Sequence, residues 1–335
     1  MRTPTRQKFS ALKDQIAHLN GISDASEKFT VEPSVQQRLE TNMQESSDFL
    51  SQINMVGVSE QMGERLGLGV SGPIAGRTNT DEKERATRDV TTLDENGYLC
   101  VQTNFDTHIR YQQLDAWAKF PDFQTRVRDI ILKRQALDRI AIGWNGVRAD
   151  KTTDLVANPL LQDVNIGWLQ KYREHAPKRV MSSGKEAGKI TIGVGGDYAN
   201  IDALVMDAVN ELIDPWYQED PDLVVLVGRK LLHDKYFPLI QKYDQPTESR
   251  ALDMMVSQRR IGGLQANKVP FMLDKGIFIT SLSNLSLYWQ EGSRRRVVVD
   301  NAKRDRIENF ESSNDAYVVE DYGFGCLIEN IEVIA

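Results

Sequence analysis

Residues Leu223 to Val227 read Leu-Val-Val-Leu-Val, an unbroken apolar run closed by Gly228. A short run of this kind, without alternation of polar and apolar residues, is a strand covered on both faces. The chain must therefore supply layers on either side of it. One is at hand just upstream. Ile201, Leu204, Val205, Ala208, Val209 and Leu212 recur at helical spacing, Asp197 or Asn200 can cap the start, and Pro215 follows the end. A helix from Lys230, another around Glu248 to Gln258 and a strand at Gly276 to Thr280 complete a small α/β domain.

The first third of the chain has the opposite character. Thr30 to Asn54 carries little apolar surface beyond Val35, Leu39, Phe49, Leu50 and Ile53, so this arm cannot make a core of its own. From Met55 to Asp106 the pattern alternates. Leu66-Gly67-Leu68-Gly69-Val70 runs out, and Leu99, Val101, Thr103 and Phe105 run back, as the strands of a long hairpin with a charged tip at Thr78 to Asp89. A two-stranded ribbon is marginal by itself, which implies support from outside the chain.

Residues 1–29 form a separate piece with a net charge of +2 on a chain of −7 overall. Phe9, Leu12, Ile16 and Leu19 make a helical stripe that should stop at Asn20-Gly21. A lone helix of this length needs a partner to be ordered. Farther on, Pro121 opens a long helix in which Val127, Ile130, Ile131, Leu137, Ala141 and Trp144 share a face until Gly143 and Gly146 end the pattern. At about 1.5 Å per residue this spine spans roughly 35 Å. A second helical piece runs from Gly167 to Ala176, and Ser182 to Lys189 reads as a surface loop. Strands return at Val297 to Val299, Ala316 to Val319 and Cys326 to Val333, with the base of the hairpin as their expected partner.

Composition narrows the chemistry. A chain of 335 residues with 40% hydrophobic content can bury real cores. It has no apolar run of membrane-spanning length, and its N-terminus lacks the apolar core of a signal peptide, so folding in a cytosol is expected. Cys100 and Cys326 lie far apart in apolar contexts and read as buried free thiols. The four histidines form no ligand pair, so no metal site is expected. The negative charge argues against a surface that grips nucleic acid throughout. Arg294-Arg295-Arg296, the one basic run, reads first as a charged strand edge or a salt-bridging site at an interface, ahead of a nucleic-acid contact.

GVGGDY, Gly193 to Tyr198, resembles a phosphate-holding turn, but Tyr198 stands where the dinucleotide fingerprint needs a third glycine. Asp214, the acid at roughly the right distance, precedes a proline. GKEAGKIT, Gly184 to Thr191, is one residue short of a phosphate loop. The glycines therefore read as a turn feeding the next helix, and no cofactor is expected. Asp214 to Asp222 gathers acids and aromatics between prolines, as a rigid loop would. No G-x-S-x-G, H-E-x-x-H or activated cysteine is present.

Lys28 to Val35 (KFTVEPSV), Met43 to Asn54 (MQESSDFLSQIN), Trp168 to Met181 (WLQKYREHAPKRVM), the long run Asp202 to Pro238, and Tyr317 to Tyr322 (YVVEDY) closely resemble the major capsid proteins of tailed bacteriophages of the Peduovirus type. The resemblance spans nearly the whole chain and departs mainly at the hairpin tip and at Ser182 to Lys189. It implies an α+β chain of the Hong Kong 97-type capsid fold. Residues 1–29 would be a removable segment, 30–54 the N-terminal arm and 55–110 the extended loop. Residues 111–196 would form the peripheral domain with the spine helix, 197–285 the axial domain, and 286–335 the returning strands of the peripheral domain.

The implied function is a virion protein, assembled in the host cytoplasm, that self-assembles into hexamers and pentamers of an icosahedral shell. The implied partners are a scaffolding protein that is also the maturation protease, a portal at one vertex, and packaged double-stranded DNA held non-specifically, with no membrane. Maturation would cut the chain at Phe29-Thr30, in a polar connector a protease can reach. Before the cut, Phe9, Leu12, Ile16 and Leu19 would hold the scaffold. The alternatives are a nanocompartment shell of the same fold, or a nucleotide-binding enzyme using Gly193 to Asp197.

Overall fold

A computed structural model describes residues 1–64, 75, 77–80, 82, 84–85, 97–120, 122–232 and 260–334. In chain order the first half comprises α1 (Thr3–Leu19), β1 (Phe29–Thr30), α2 (Pro33–Glu45), β2 (Asn54–Val58), β3 (Met62–Gly63), β4 (Tyr98–Leu99), β5 (Val101–Asn104), β6 (Thr107–Arg110), α3 (Tyr111–Trp117) and α4 (Phe123–Asn145). Next come α5 (Trp168–His175), β7 (Val180–Met181), β8 (Ile190–Ile192), α6 (Ile201–Leu212), β9 (Leu223–Val227), β10 (Arg260–Ile261) and β11 (Leu264–Lys268). The chain closes with β12 (Ile277–Ser281), β13 (Leu285–Gln290), β14 (Arg295–Asn301), β15 (Arg306–Val319), β16 (Gly325–Ile328) and β17 (Ile331–Val333). The outgoing hairpin strand expected at Leu66 to Val70, half of its tip, Pro121, and the helix expected at Glu248 to Gln258 lie outside the described residues. The helix expected from Lys230 is described from Arg229 to Leu232.

Two compact units result, one of residues 1–63, 99–167 and 286–317, the other of residues 64–98, 168–285 and 318–335. The first is built on a sheet ordered β1-β14-β15-β13-β2, in which the long β15 also pairs β5 and β6. As expected, a returning strand meets the hairpin base: Ser313 lies opposite Thr103. The base itself is closed by Gln61, whose carbonyl accepts from the Cys100 N–H at 2.8 Å while its side chain donates to the Cys100 carbonyl at 3.2 Å.

The spine helix α4 is 23 residues long, which matches the length expected. Its buried face differs from the predicted stripe. Ile130 is 51% exposed, whereas Gln135 and Arg139 are buried beside Ala136 and Ile140. Glycines shape the helix's exit. A Cβ on Gly146 would meet the Asn165 carbonyl oxygen at 2.2 Å, so only glycine lets the two backbones approach there.

In the second unit β9 is an inner strand of a sheet ordered β10-β11-β9-β12-β16-β7, parallel to β11 and antiparallel to β12. Both faces of its apolar run are covered, with Leu223, Val225 and Val227 buried on one and Leu226 buried beside half-buried Val224 on the other. Helix α6 buries Ile201, Leu204, Val205, Ala208 and Val209, and the Asn200 side chain caps it by accepting from the Ala203 N–H at 2.8 Å. Tyr172 of α5 stands edge-on to Phe278 and Tyr322, with ring centroids 5.0 and 5.2 Å away. The last strands depart from expectation: β16 pairs β12 and β7, and β17 pairs β8, so residues 318–335 complete this unit's sheets and not those of the first. The reason lies in burial: Gly325 to Ile328 are all buried, as an inner strand demands. Cys100 and Cys326 are free and buried, and burial pushes both thiols up to about 12.

Candidate functional site

The region that the sequence singles out for processing lies in the first unit, where the N-terminal segment, the start of the arm and the sheet edge meet. Helix α1 ends as predicted. Asn20 turns its side-chain amide back to the Ile16 carbonyl at 2.8 Å, and Gly21 takes a left-handed φ of 64°. The same Asn20 accepts the Glu32 N–H at 3.0 Å, which ties the end of the helix to the beginning of the arm.

The apolar stripe of α1 is used within the chain. Phe9 and Ile16 are buried with Ala25 against Tyr111 and Leu114 of α3, Val127 and Ile131 of α4, Val298 of β14 and Ile307 of β15; Leu12 is half-buried against the same cluster. Leu19, at 43% exposure, faces outward. Polar pins fix the helix along this groove. Asp115 accepts the Arg2 N–H at 3.0 Å and the Thr5 hydroxyl at 2.6 Å, and these bonds hold its carboxyl below the usual range. Lys8 donates to the Phe120 carbonyl at 2.8 Å, and Arg6 lies 3.5 Å from Asp300. Phe9 is therefore not presented to a scaffold here, because the chain's own groove covers it, and Ile16 is largely covered with it.

Phe29 and Thr30, at the end of the polar connector, form the extended strand β1. They pair antiparallel with Arg296 and Arg295 at one end of the sheet order, and Val31 continues the edge by donating to the Arg294 carbonyl at 2.8 Å. Phe29 is half-buried against the groove cluster and Thr30 is exposed.

Beyond β1 the arm is held by charge. Helix α2 buries Gln36, Glu40 and Met43. Glu40 is bonded to Arg139 of α4, and accepts from Arg294 at 2.5 Å. Arg139 also engages both oxygens of Asp315 at 3.0 Å, while Arg294 donates to Glu311 at 2.7 Å and to Gln135 at 2.8 Å. Neither guanidinium is more than 1% exposed. Burial raises the Glu40 carboxyl, but Arg139 and Arg294 outweigh it and hold the group below its ordinary value. For Glu311 the same contest, won by Arg294 and Arg296, brings the carboxyl down to about 2. At Asp315 burial prevails and lifts the carboxyl. Arg294 thus makes its salt bridges inside this unit, where the basic run was expected at a strand edge or an interface, and Arg296 bonds Asn309 at 2.7 Å. Sequence reasoning passed over Glu40 and Arg139; the spacing of Gln36 with Glu40, and of Gln135 with Arg139, on otherwise amphipathic helices was the available signal.

The glycine turn is filled by its own chain. Asp197 accepts the Thr191 N–H at 2.7 Å, the Thr191 hydroxyl at 2.6 Å and the Lys185 N–H at 2.7 Å, which brings its carboxyl down to about 2. A Cβ on Gly193 would meet the Ile334 carbonyl oxygen at 2.6 Å, so this glycine serves the close passage of the C-terminal strand. The acid-rich loop is likewise pinned, Asp214 to Arg179 at 2.7 Å and Tyr217 stacked on Phe324 at 4.2 Å, and leads into β9. Among the described residues no group of acids, histidines and cysteines could hold a metal ion, and no helix is long and apolar enough to cross a membrane.

Comparison with known proteins places this architecture. Residues 8–331 match the family described as phage major capsid protein, P2 family. The capsid protein of Escherichia phage P2 is 55% identical over 99% of this chain and 96% of that protein, and the major capsid protein of Serratia phage KSP20 is 40% identical over 99% and 97%. Among solved structures, a chain of the satellite phage P4 procapsid, which includes the size determination protein Sid, superposes with a TM-score of 0.83 at 53% identity, covering 100% of this chain and 99% of that one. A capsid chain of an empty GTA particle shares the fold alone, with a TM-score of 0.52 at 14% identity over 86% and 90% of the two chains. These matches do not favour a nucleotide-binding enzyme or a nanocompartment. The chain belongs to the P2 family of phage major capsid proteins: it is a structural protein of the tailed-phage virion, has the Hong Kong 97-type fold, and associates with itself into the icosahedral procapsid shell.

Proposed function

We propose that this P2-family subunit forms hexamers and pentamers on a scaffolding protein that is also a protease, and is cut at Phe29-Thr30 once the procapsid is complete. A portal would occupy one vertex, and double-stranded DNA would then be packaged against the wall without sequence preference. The observation that carries the cut is the geometry of β1: Phe29 and Thr30 are already extended at a sheet edge, the backbone form in which a protease cleft receives its substrate. On one side of it lies a helical segment docked as its own body, and on the other an arm with an independent anchorage.

The scaffold contact proposed for Phe9, Leu12, Ile16 and Leu19 takes a narrower form. A cleft lined by Leu12, Ile16, Leu19, Val31, Val35 and Leu39 opens between α1 and α2, and an apolar helix face of the scaffold fits there while Phe9 stays in its groove. Removal of residues 1–29 takes one wall of that cleft away, together with a net +2 charge, and so releases the scaffold and leaves a wall of net −9 towards the packaged DNA. The protein acts through assembly and catalyses no reaction. N-terminal sequencing of protein from DNA-filled particles tests the cut: a chain beginning at Thr30 supports it, and an intact Met1 or Arg2 refutes it.

A further inference from the structure

We infer that the groove under α1 is a peptide-binding site whose ligand is the chain's own N-terminal segment, held by its side chains and not by its covalent link. The occupant and its contacts are both present. Phe9 and Ile16 stand seven positions apart, two turns of one helix face, and enter an apolar floor made by Val298 and Ile307 between walls from α3 and α4. This is helix-in-groove recognition, in which apolar anchors at spacings of three, four and seven residues give the affinity. Its polar complement is equally specific. Asp115 reads the first turn through the Arg2 N–H and the Thr5 hydroxyl, the Phe120 carbonyl takes Lys8, and Asp300 faces Arg6. The ligand class is therefore a basic amphipathic helix with a central aromatic anchor.

None of these contacts passes through Phe29-Thr30. Breaking that peptide bond turns an intramolecular ligand into a separate one without removing any anchor, so the cut alone does not empty the groove. The freed segment leaves when it is diluted, digested or displaced, and a vacated groove is open to another helix of the same kind. The inference stands apart from where the natural protease cuts, and the experiment uses an engineered cut for that reason.

A protease recognition sequence is inserted between Glu27 and Lys28, both exposed, and a fluorophore is attached at Gln7→Cys, also exposed; the two native cysteines are buried. After nicking of the folded full-length chain, fluorescence anisotropy follows the labelled segment. The expected result is retention at about 10 μM and saturable displacement by excess unlabelled peptide of residues 1–27, with an affinity on the order of micromolar. A competitor peptide carrying Phe9→Ala should be at least about tenfold weaker, as expected for loss of a central anchor, and one carrying the exposed Ser10→Ala unchanged. Because the substitutions sit in the competitor, the folded body is the same throughout. Immediate loss of the label on nicking, retention that no peptide displaces, or equal competition by the Phe9→Ala peptide would each overturn the inference.

Discussion

Replacing Glu40 by glutamine keeps the side chain's shape and removes one charge from an interior that holds the guanidinium groups of Arg139 and Arg294. Glu40 is 3% exposed, and both of its arginine partners are at most 1% exposed. An ion pair with its charges about 4 Å apart contributes about 4 kcal/mol at an effective dielectric constant near 20, so the two partners give about 8 kcal/mol gross. Burial of the carboxylate costs several kcal/mol in return, and breaking such a pair from one side costs about 3–5 kcal/mol because the remaining cations are left under-compensated. Glu40→Gln is therefore expected to lower the stability of the unassembled subunit by that amount in urea unfolding. The loss should also appear locally, as faster amide exchange through α2, since Arg294 and Arg139 are what hold this helix to β15 and α4. Glu45→Gln, exposed at the end of the same helix, should lie within about 0.5 kcal/mol of the parent. If Glu40→Gln proves as mild as Glu45→Gln, the charge cluster does not fasten the arm and the reasoning fails.

Acid should act on the same cluster. The Glu311 carboxyl ionises near about 2 in the fold against 4.5 unperturbed, so its stabilisation, on the order of 3 kcal/mol, is complete above pH ~5 and is lost as pH falls towards 2. Asp315, lifted by burial, works in the opposite sense and trims that loss, and Glu311→Gln should flatten the acid limb of a stability–pH curve. Gly146→Ala should cost on the order of 3 kcal/mol in thermal unfolding, because its methyl would stand 2.2 Å from the Asn165 carbonyl oxygen and 2.6 Å from that of Ile142. Calorimetry with ATP, GTP and NAD should give no heat above dilution; a micromolar affinity abolished by Gly195→Val would revive the phosphate-loop reading of GVGGDY.

Elements that bury apolar side chains were legible in the sequence. The α6 stripe, its Asn200 cap, the doubly covered β9 and the stop of α1 at Asn20-Gly21 all follow from local spacing and turn chemistry. What escaped was the part of the fold fastened by polar groups. Helix α2 has Gln36, Glu40 and Met43 on its buried side, while Val35 and Leu39 are only half-buried, so a search for apolar periodicity points to the wrong face. Glu40's partners lie 99 and 254 residues away, beyond any local signal. The same applies to β1, two residues long, whose partner strand is defined by Arg295 and Arg296. The C-terminal strands were misassigned for another reason. Cys326 to Ile328 is continuously buried, the mark of an inner strand, and it pairs between β12 and β7, not with the hairpin base.

The two attachments that flank Phe29-Thr30 differ in chemistry, and the difference bears on what a cut there can do. The segment before it is held by an apolar groove with a few polar pins, and the segment after it by Arg294. Arg294 takes the Val31 N–H on its carbonyl at 2.8 Å and Glu40 on its guanidinium at 2.5 Å, so the arm's first residues and its helix share one anchor. Cleavage divides β1, leaving Thr30 and Val31 on the basic strand with that anchor untouched. One link survives across the gap, the bond from the Glu32 N–H to Asn20 at 3.0 Å, and it departs with α1. A cut at this bond therefore separates a detachable body from a clamped one, whereas a cut some residues later, inside α2, would sever the arm from its own anchor. Asn20→Ala, which removes the surviving link and leaves Glu40 in place, should speed loss of the nicked segment while leaving amide protection in α2 unchanged. If α2 loosens as well, the two attachments are coupled and the division of labour drawn from the geometry is wrong.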